Sequence, residues 1–214
     1  MPADIIKPFL LRDDVSRKLV HLIRDPEENS DFNTAEDILM EILKTKTLLG
    51  GTGCIKGDYR CVCFSEAPIS KLGQVLALSG PHGMRYKPFG IMVDKIWLYR
   101  QGGRPVIYQA DEEYDILPDD LKYRHVRYDP PRIDFSWERE WRIKTDKLPL
   151  DPADITVIVP YRHIVEHIKQ EHSDTIAGNV ESMRLIANGF FFFFFVIPLE
   201  WHFIALEDLG VATP

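Results

Sequence analysis

The segment Ile133–Thr145, IDFSWEREWRIKT, restricts the fold most sharply, because aromatic and charged side chains alternate through Trp137, Glu138, Arg139, Glu140, Trp141 and Arg142. Alternation with a period of two belongs to a strand, whose side chains leave on opposite faces. Glu138, Glu140 and Arg142 then share one face, while Trp137, Arg139, Trp141 and Ile143 take the other. Two carboxylates and a guanidinium form a compact polar row. Such a row can hold a hydroxyl-rich ligand, or it can be a solvated sheet face crossed by ion pairs.

Short β-prone runs surround this segment: Tyr59–Ser65, Phe89–Val93, Pro105–Tyr108, Tyr123–Tyr128, Ile155–Val159, Phe190–Ile197 and Trp201–Leu206. β-branched and aromatic content, with proline or glycine between runs, is the signature of strands. Helical spacing predicts helices over Val15–Arg24, Thr34–Lys44, Pro68–Leu78, Lys95–Tyr99 and Arg162–His172, and Gly178–Ile186 reads as a helix or an irregular crossover. Thr34 and Asp37 have the spacing of a capping box. Gly50, Gly51 and Gly53 read as a flexible turn without a phosphate-loop pattern. The expected architecture is α+β, a single domain over residues 1–214 with amino-terminal helices packed on a strand-rich remainder.

The chain has 214 residues, 45% of them apolar, which suffices for one substantial core. A formal charge of -7 gives no global attraction to nucleic acid or to an anionic membrane, although local basic patches remain open. Cys54, Cys61 and Cys63 lack the spacing of a disulfide framework or a zinc motif, and buried structural thiols are expected. The amino terminus lacks the basic region, apolar core and cleavage site of a signal peptide, so the expected compartment is the cytoplasm. The longest apolar run, Gly189–Leu199, has 11 residues, short of the roughly 18 that a membrane-spanning helix needs. Its six phenylalanines, Phe190–Phe195, read as a buried strand.

Most candidate chemistries find little support. His163 and His167 stand four apart, but Glu166 is misplaced for a metalloprotease and His172 is out of phase, so a solvated helix face is expected. Ser65 lacks a nucleophile elbow. Asp111–Leu121 reads as a solvated acidic interval. Basic and aromatic residues interleave at Arg124, His125, Arg127, Tyr128 and Arg132 and again over His82–Lys87, which suits a dinucleotide, a single nucleic-acid strand or a polar sheet edge. Glu138 and Glu140 make the most specific suggestion. A carboxylate can bind a ribose hydroxyl, and beside a nicotinamide glycosidic bond it would stabilise an oxocarbenium-like transition state. Arg142 could orient a carboxylate or a phosphate.

The ordered pieces FNTAEDILMEILKTKTLLGG, RCVCFSEAPI, PFGIMV, GGRPVIY and WEREWRI, spanning about Asp31–Thr145, resemble the AbiGi abortive-infection family. CFSEAP and WEREWR are the most distinctive. A more distant resemblance is to ADP-ribosyltransferase-like domains, including DarT-like enzymes. That resemblance rests on Ile42-Leu43 with Leu48 at a helix-to-turn junction, Phe64-Ser65 on a second strand, and Glu138 or Glu140 on a later one. It implies an ADP-ribosyltransferase-like core, NAD as co-substrate, Glu140 as the catalytic carboxylate and Glu138 as the group that orients the acceptor. It also implies Ser65 on the binding strand, Arg60 as a pyrophosphate or nicotinamide contact, and Tyr108 as a stacking surface. The histidine or arginine such domains carry ahead of the first helix has no counterpart at Phe32-Asn33-Thr34, the place where the reading looks for it. The implied setting is phage defence or a toxin–antitoxin system. Two other readings are a non-catalytic antitoxin or immunity protein that binds a protein partner, and a defence effector acting on nucleic acid through Arg85, Lys87, Arg124 and Arg127.

Overall fold

Spacing of Leu19, Leu22 and Ile23 predicts a helix over Val15–Arg24, and the structure corrects this: Lys18–Arg24 is a strand, β1. The computed structural model describes residues 16–26, 30–53, 55–69, 71, 86–130, 132–186 and 200–211. Leu19 and Ile23 enter the main core, whereas Val20 and Leu22 enter a second cluster on the opposite face. A strand covered on both faces loses its polar alternation, and its apolar pairs then imitate a helical period.

Helix α1, Ala35–Thr45, follows, and its start is the expected capping box. The Thr34 hydroxyl accepts from the Asp37 amide at 3.1 Å while the Asp37 carboxylate accepts from the Thr34 amide at 2.9 Å. Leu39, Ile42 and Leu43 form its buried stripe. The chain continues through β2 (Thr47–Leu49), β3 (Cys61–Ser65) and β4 (Tyr86–Asp94), and then through helix α2 (Lys95–Arg100). Strands β5 (Arg104–Pro105), β6 (Ile107–Gln109), β7 (His125–Arg127), β8 (Glu140–Lys144), β9 (Lys147–Pro149) and β10 (Ile155–Val159) come next. Helix α3 (Arg162–Ile186) absorbs both late helical predictions, and β11 (His202–Ala205) completes the described elements.

One seven-stranded sheet has the order β11-β10-β4-β1-β3-β8-β5, and β2–β9 and β6–β7 form two small ribbons. Within the large sheet β10 and β11 run parallel, while the pairs around β1, β3 and β8 are antiparallel. Phe64 pairs with Trp141 and Val62 with Ile143, and all four face the core beneath α1. On the other face Val20 pairs with Ser65, Ser65 with Glu140, and Cys63 with Arg142. The molecule is a single α+β domain whose β3–β8 pair carries an apolar face and a polar one.

Among the described residues no helix is long and apolar enough to cross a membrane. The Phe190–Phe195 run, most of the helix predicted over Pro68–Leu78, and His82 and Arg85 of the basic loop lie outside the described residues.

Candidate functional site

Strands β1 and β3 are neighbours, yet they register at Val20 and Ser65 alone. Where they part, a cavity of about 870 Å³ opens in the sheet, toward the upper end of the ~300–1,000 Å³ typical of small-molecule sites. The imidazole of His21 spans the gap, with Nδ1 2.7 Å from the Cys63 carbonyl oxygen. A carbonyl only accepts, so Nδ1 carries the hydrogen and Nε2 of the neutral ring is an acceptor. Burial holds the His21 pKa below its ordinary value; the nearby Arg24 charge acts in the same direction, against the bond to Cys63. Gly90 permits the close approach of β4 behind this residue, since a Cβ there would stand 2.5 Å from the His21 carbonyl oxygen.

WEREWR does line the cavity, but not as one continuous strand. Ser136–Glu138 is a turn of 3-10 helix, Arg139 takes a left-handed backbone with φ 48°, and β8 starts at Glu140. The kink brings Glu138 and Glu140 to the same cavity by different routes, and it leaves Phe135 (47% exposed) and Trp137 (39% exposed) on the wall near its mouth.

The two glutamates differ electrostatically. Glu140 accepts from Arg142 at both oxygens, from Nε at 2.8 Å and from Nη2 at 3.1 Å. Arg142, 3% exposed, spends Nη1 on the carbonyls of Tyr123 and His125 at 2.9 and 3.0 Å. Its fork is therefore committed to holding Glu140 and the segment beside it. Glu138 has no ion pair among the described residues. Burial, together with the Glu140 charge, pushes its pKa up to about 7, against the pull of Arg24 and Arg142. The row is thus one carboxylate bonded at both oxygens to Arg142 and one carboxyl whose pKa is pushed up to about 7.

Ser65 lines the cavity while its hydroxyl donates to the Glu138 carbonyl at 2.7 Å and accepts from the Ala67 amide at 3.1 Å. The Tyr108 hydroxyl accepts from the Glu140 amide at 3.0 Å and donates to the Phe135 carbonyl at 3.2 Å, bracing the same turn. Arg60 stands outside the cavity wall, 56% exposed and paired with Asp146 at 3.2 Å. The structure therefore brings Ser65, Glu138, Glu140 and Arg142 together, with Tyr108 as a brace and Arg60 apart from them.

Three participants escape the sequence reading. His21 and Arg24 are hidden by the helix assigned to β1, and Arg24 stands 4.8 Å over the Tyr86 ring with Nη2 donating to the Tyr86 hydroxyl at 3.0 Å. Glu66, inside the distinctive CFSEAP, accepts from the Trp141 indole at 3.0 Å and pairs with Lys95. The two most distinctive sequence pieces are thus bonded to each other. A glutamate directly after a β-prone run, followed by a small residue and proline, was the available signal.

Other candidates behave as structural groups. Burial raises the pKa of both Cys61 and Cys63, and the Glu140 charge adds to this, so neither is a ready thiolate. His167 lies on an exposed helix face beside Glu36 and Glu171. Among the described residues no cluster of three or more potential ligands could hold a metal ion. No family model, curated protein or solved structure matches the chain.

Proposed function

We propose that the cavity binds NAD and that the protein transfers ADP-ribose to an acceptor. The observation that carries this reading is the convergence of His21 of β1, Ser65 of β3 and the Glu138–Glu140 pair at β8 on one cavity at the split of the sheet. His21 lies on the strand ahead of the first helix, where it suits the part of the polar NAD-contacting residue that the ADP-ribosyltransferase resemblance expects. The AbiGi and DarT-like resemblances supply the setting, phage defence or a toxin–antitoxin system.

Each group has a part that its environment suits. Breaking the C1′–nitrogen bond of NAD sends the bonding pair to nicotinamide, which leaves neutral, and builds positive charge on the ribose. Arg142 holds the Glu140 carboxylate in place, and the carboxylate stabilises that developing cation without reorganising. His21 Nε2 accepts from a ribose hydroxyl or from the carboxamide. Phe135 and Trp137 provide faces for a flat ring, which adds about 0.5–1.5 kcal/mol for a well-placed aromatic pair. Glu138, poised near neutrality, takes the proton of the acceptor as it attacks C1′.

NAD is expected to raise the melting temperature of the purified protein, and nicotinamide release is expected on chromatography. Glu138→Gln should retain the melting shift and lose transfer to the acceptor. Failure of NAD and ADP-ribose to shift the melting temperature would sink the reading, and unchanged turnover in Glu140→Gln would remove that residue from its assigned role.

A further inference from the structure

Glu66 is 6% exposed, and its contacts converge on one segment. Oε2 accepts from Trp141 Nε1 at 3.0 Å, and Oε1 pairs with Lys95 Nζ and stands 3.8 Å from Arg139 Nη2. The Glu66 amide donates to the Glu138 carbonyl at 3.2 Å and lies 3.4 Å from that of Arg139. The adjoining Ser65 hydroxyl donates to the same Glu138 carbonyl. Residues 138, 139 and 141 are therefore all tied to Glu66, by backbone or by side chain.

We propose that Glu66 is a positioning residue that fixes the Ser136–Arg139 turn and so determines where the Glu138 carboxyl stands in the cavity. A buried carboxylate is tolerated when its charge is paired and its remaining lone pairs are hydrogen-bonded, and what distinguishes this one is where those partners sit. Here the lysine comes from the first turn of α2, whose Lys95 amide also donates to the Arg17 carbonyl at 2.9 Å, so the carboxylate is fastened to the sheet framework. Its remaining capacity goes to the two residues that flank Glu140. One of these, Arg139, is held in a left-handed backbone that costs an ordinary residue about 1–2 kcal/mol. Such a conformation persists only where its surroundings hold it. Release of the turn would let Glu138 move from its partly dry position toward water. The charged groups facing Glu138 are Glu140 and Arg142 of β8 and Arg24 of β1, with the hydroxyls of Tyr86 on β4 and Tyr108 on β6 nearby. Glu66 acts on Glu138 through geometry, because Glu66 is not among these groups.

The link to transfer chemistry rests on the function proposed above, whereas the structural claim is tested without NAD. Glu66→Gln combined with Lys95→Met removes both interior charges together, and Trp141→Phe removes one hydrogen bond while keeping an aromatic ring. Carbon-13 NMR titration of Glu138 in the ligand-free protein should show its midpoint falling from about 7 toward the ordinary glutamate value of about 4.3 in the double variant. Trp141→Phe should give a smaller fall in the same direction. In NAD turnover both variants should lower kcat, by at least about tenfold for the double variant, with KM changed less than about threefold. A lowered melting temperature with an unmoved Glu138 midpoint in whichever variants fold would overturn the proposal, since a purely structural role predicts that result. If the wild-type protein does not turn over NAD, the functional reading fails and the titration still decides the role of Glu66.

Discussion

The two sides of the β3–β8 pair hold carboxylates of opposite character. On the core side Glu66 is buried with Lys95 and the Trp141 indole on its oxygens. On the cavity side Glu138 is desolvated beside a second glutamate with no ion pair among the described residues. Burial with partners makes a carboxylate part of the framework, whereas burial without them makes it exchange protons near neutrality. Glu140 stands between the two cases, lining the cavity yet committed to Arg142.

The largest test of this contrast is Lys95→Met, which leaves the Glu66 charge facing, among the described residues, Trp141 and the more distant Arg139. Loss of one partner of a buried pair costs about 3–5 kcal/mol, and urea unfolding at pH 7 should show a loss near the lower end because Arg139 remains. Glu140→Gln comes next. It leaves one amide oxygen to accept from Arg142 and turns an NH2 donor toward the other guanidinium N–H, so one of two charge-assisted bonds, each worth about 1.5–3 kcal/mol, is lost. A loss of about 2 kcal/mol is expected, accompanied by loss of nicotinamide release. This variant therefore confounds stability with chemistry.

Glu138→Gln should have the opposite sign. The folded protein titrates Glu138 at about 7, while the unfolded chain does so at about 4.3. Between these values the folded state holds the extra proton, so this group's contribution to stability is present below about pH 4 and is lost as the pH rises through about 7. Removing the charge should stabilise the protein by about 1–2 kcal/mol at pH 8, discounted for partial exposure, and by almost nothing at pH 4. Activity should move the other way, because a general base must be deprotonated: transfer should rise through pH 7 as stability falls. The smallest effect belongs to Trp137→Ala. With its side chain already at the cavity mouth, unfolding should change by less than about 0.5 kcal/mol, while calorimetric affinity for NAD should weaken up to about tenfold through loss of stacking.

Local chemistry made much of this legible in the sequence. The Thr34–Asp37 capping box and the stripe of Leu39, Ile42 and Leu43 define α1. Ile155–Val159 and the CVCFS run are strands as their composition requires. The alternation of WEREWR pointed to residues that line the cavity but misdescribed their backbone, because the left-handed turn at Arg139 is held by Glu66, Ser65 and Tyr108, all remote in sequence. β1 was misread for a related reason. Its second apolar face is explained only by the cluster containing Ile158, Leu206 and Val211, far along the chain. With that strand went His21 and Arg24, so the cavity was legible from one wall and hidden at the other.

The single register point between β1 and β3 has a mechanical consequence. Four strands, β11-β10-β4-β1, lie on one side of it and three, β3-β8-β5, on the other. The β1–β4 ladder spans Lys18–Arg24 and the β3–β8 ladder spans Cys61–Ser65, whereas backbone pairing across the seam between the halves is confined to Val20↔Ser65, supplemented by the His21 bridge to Cys63, the Glu66–Lys95 pair and the common apolar core. Weakly paired junctions open at lower free energy than the ladders they join. Side chains therefore carry the join: the His21 bridge, the Glu66–Lys95 pair and the shared apolar core hold the two half-sheets together across the stretch where the cavity opens.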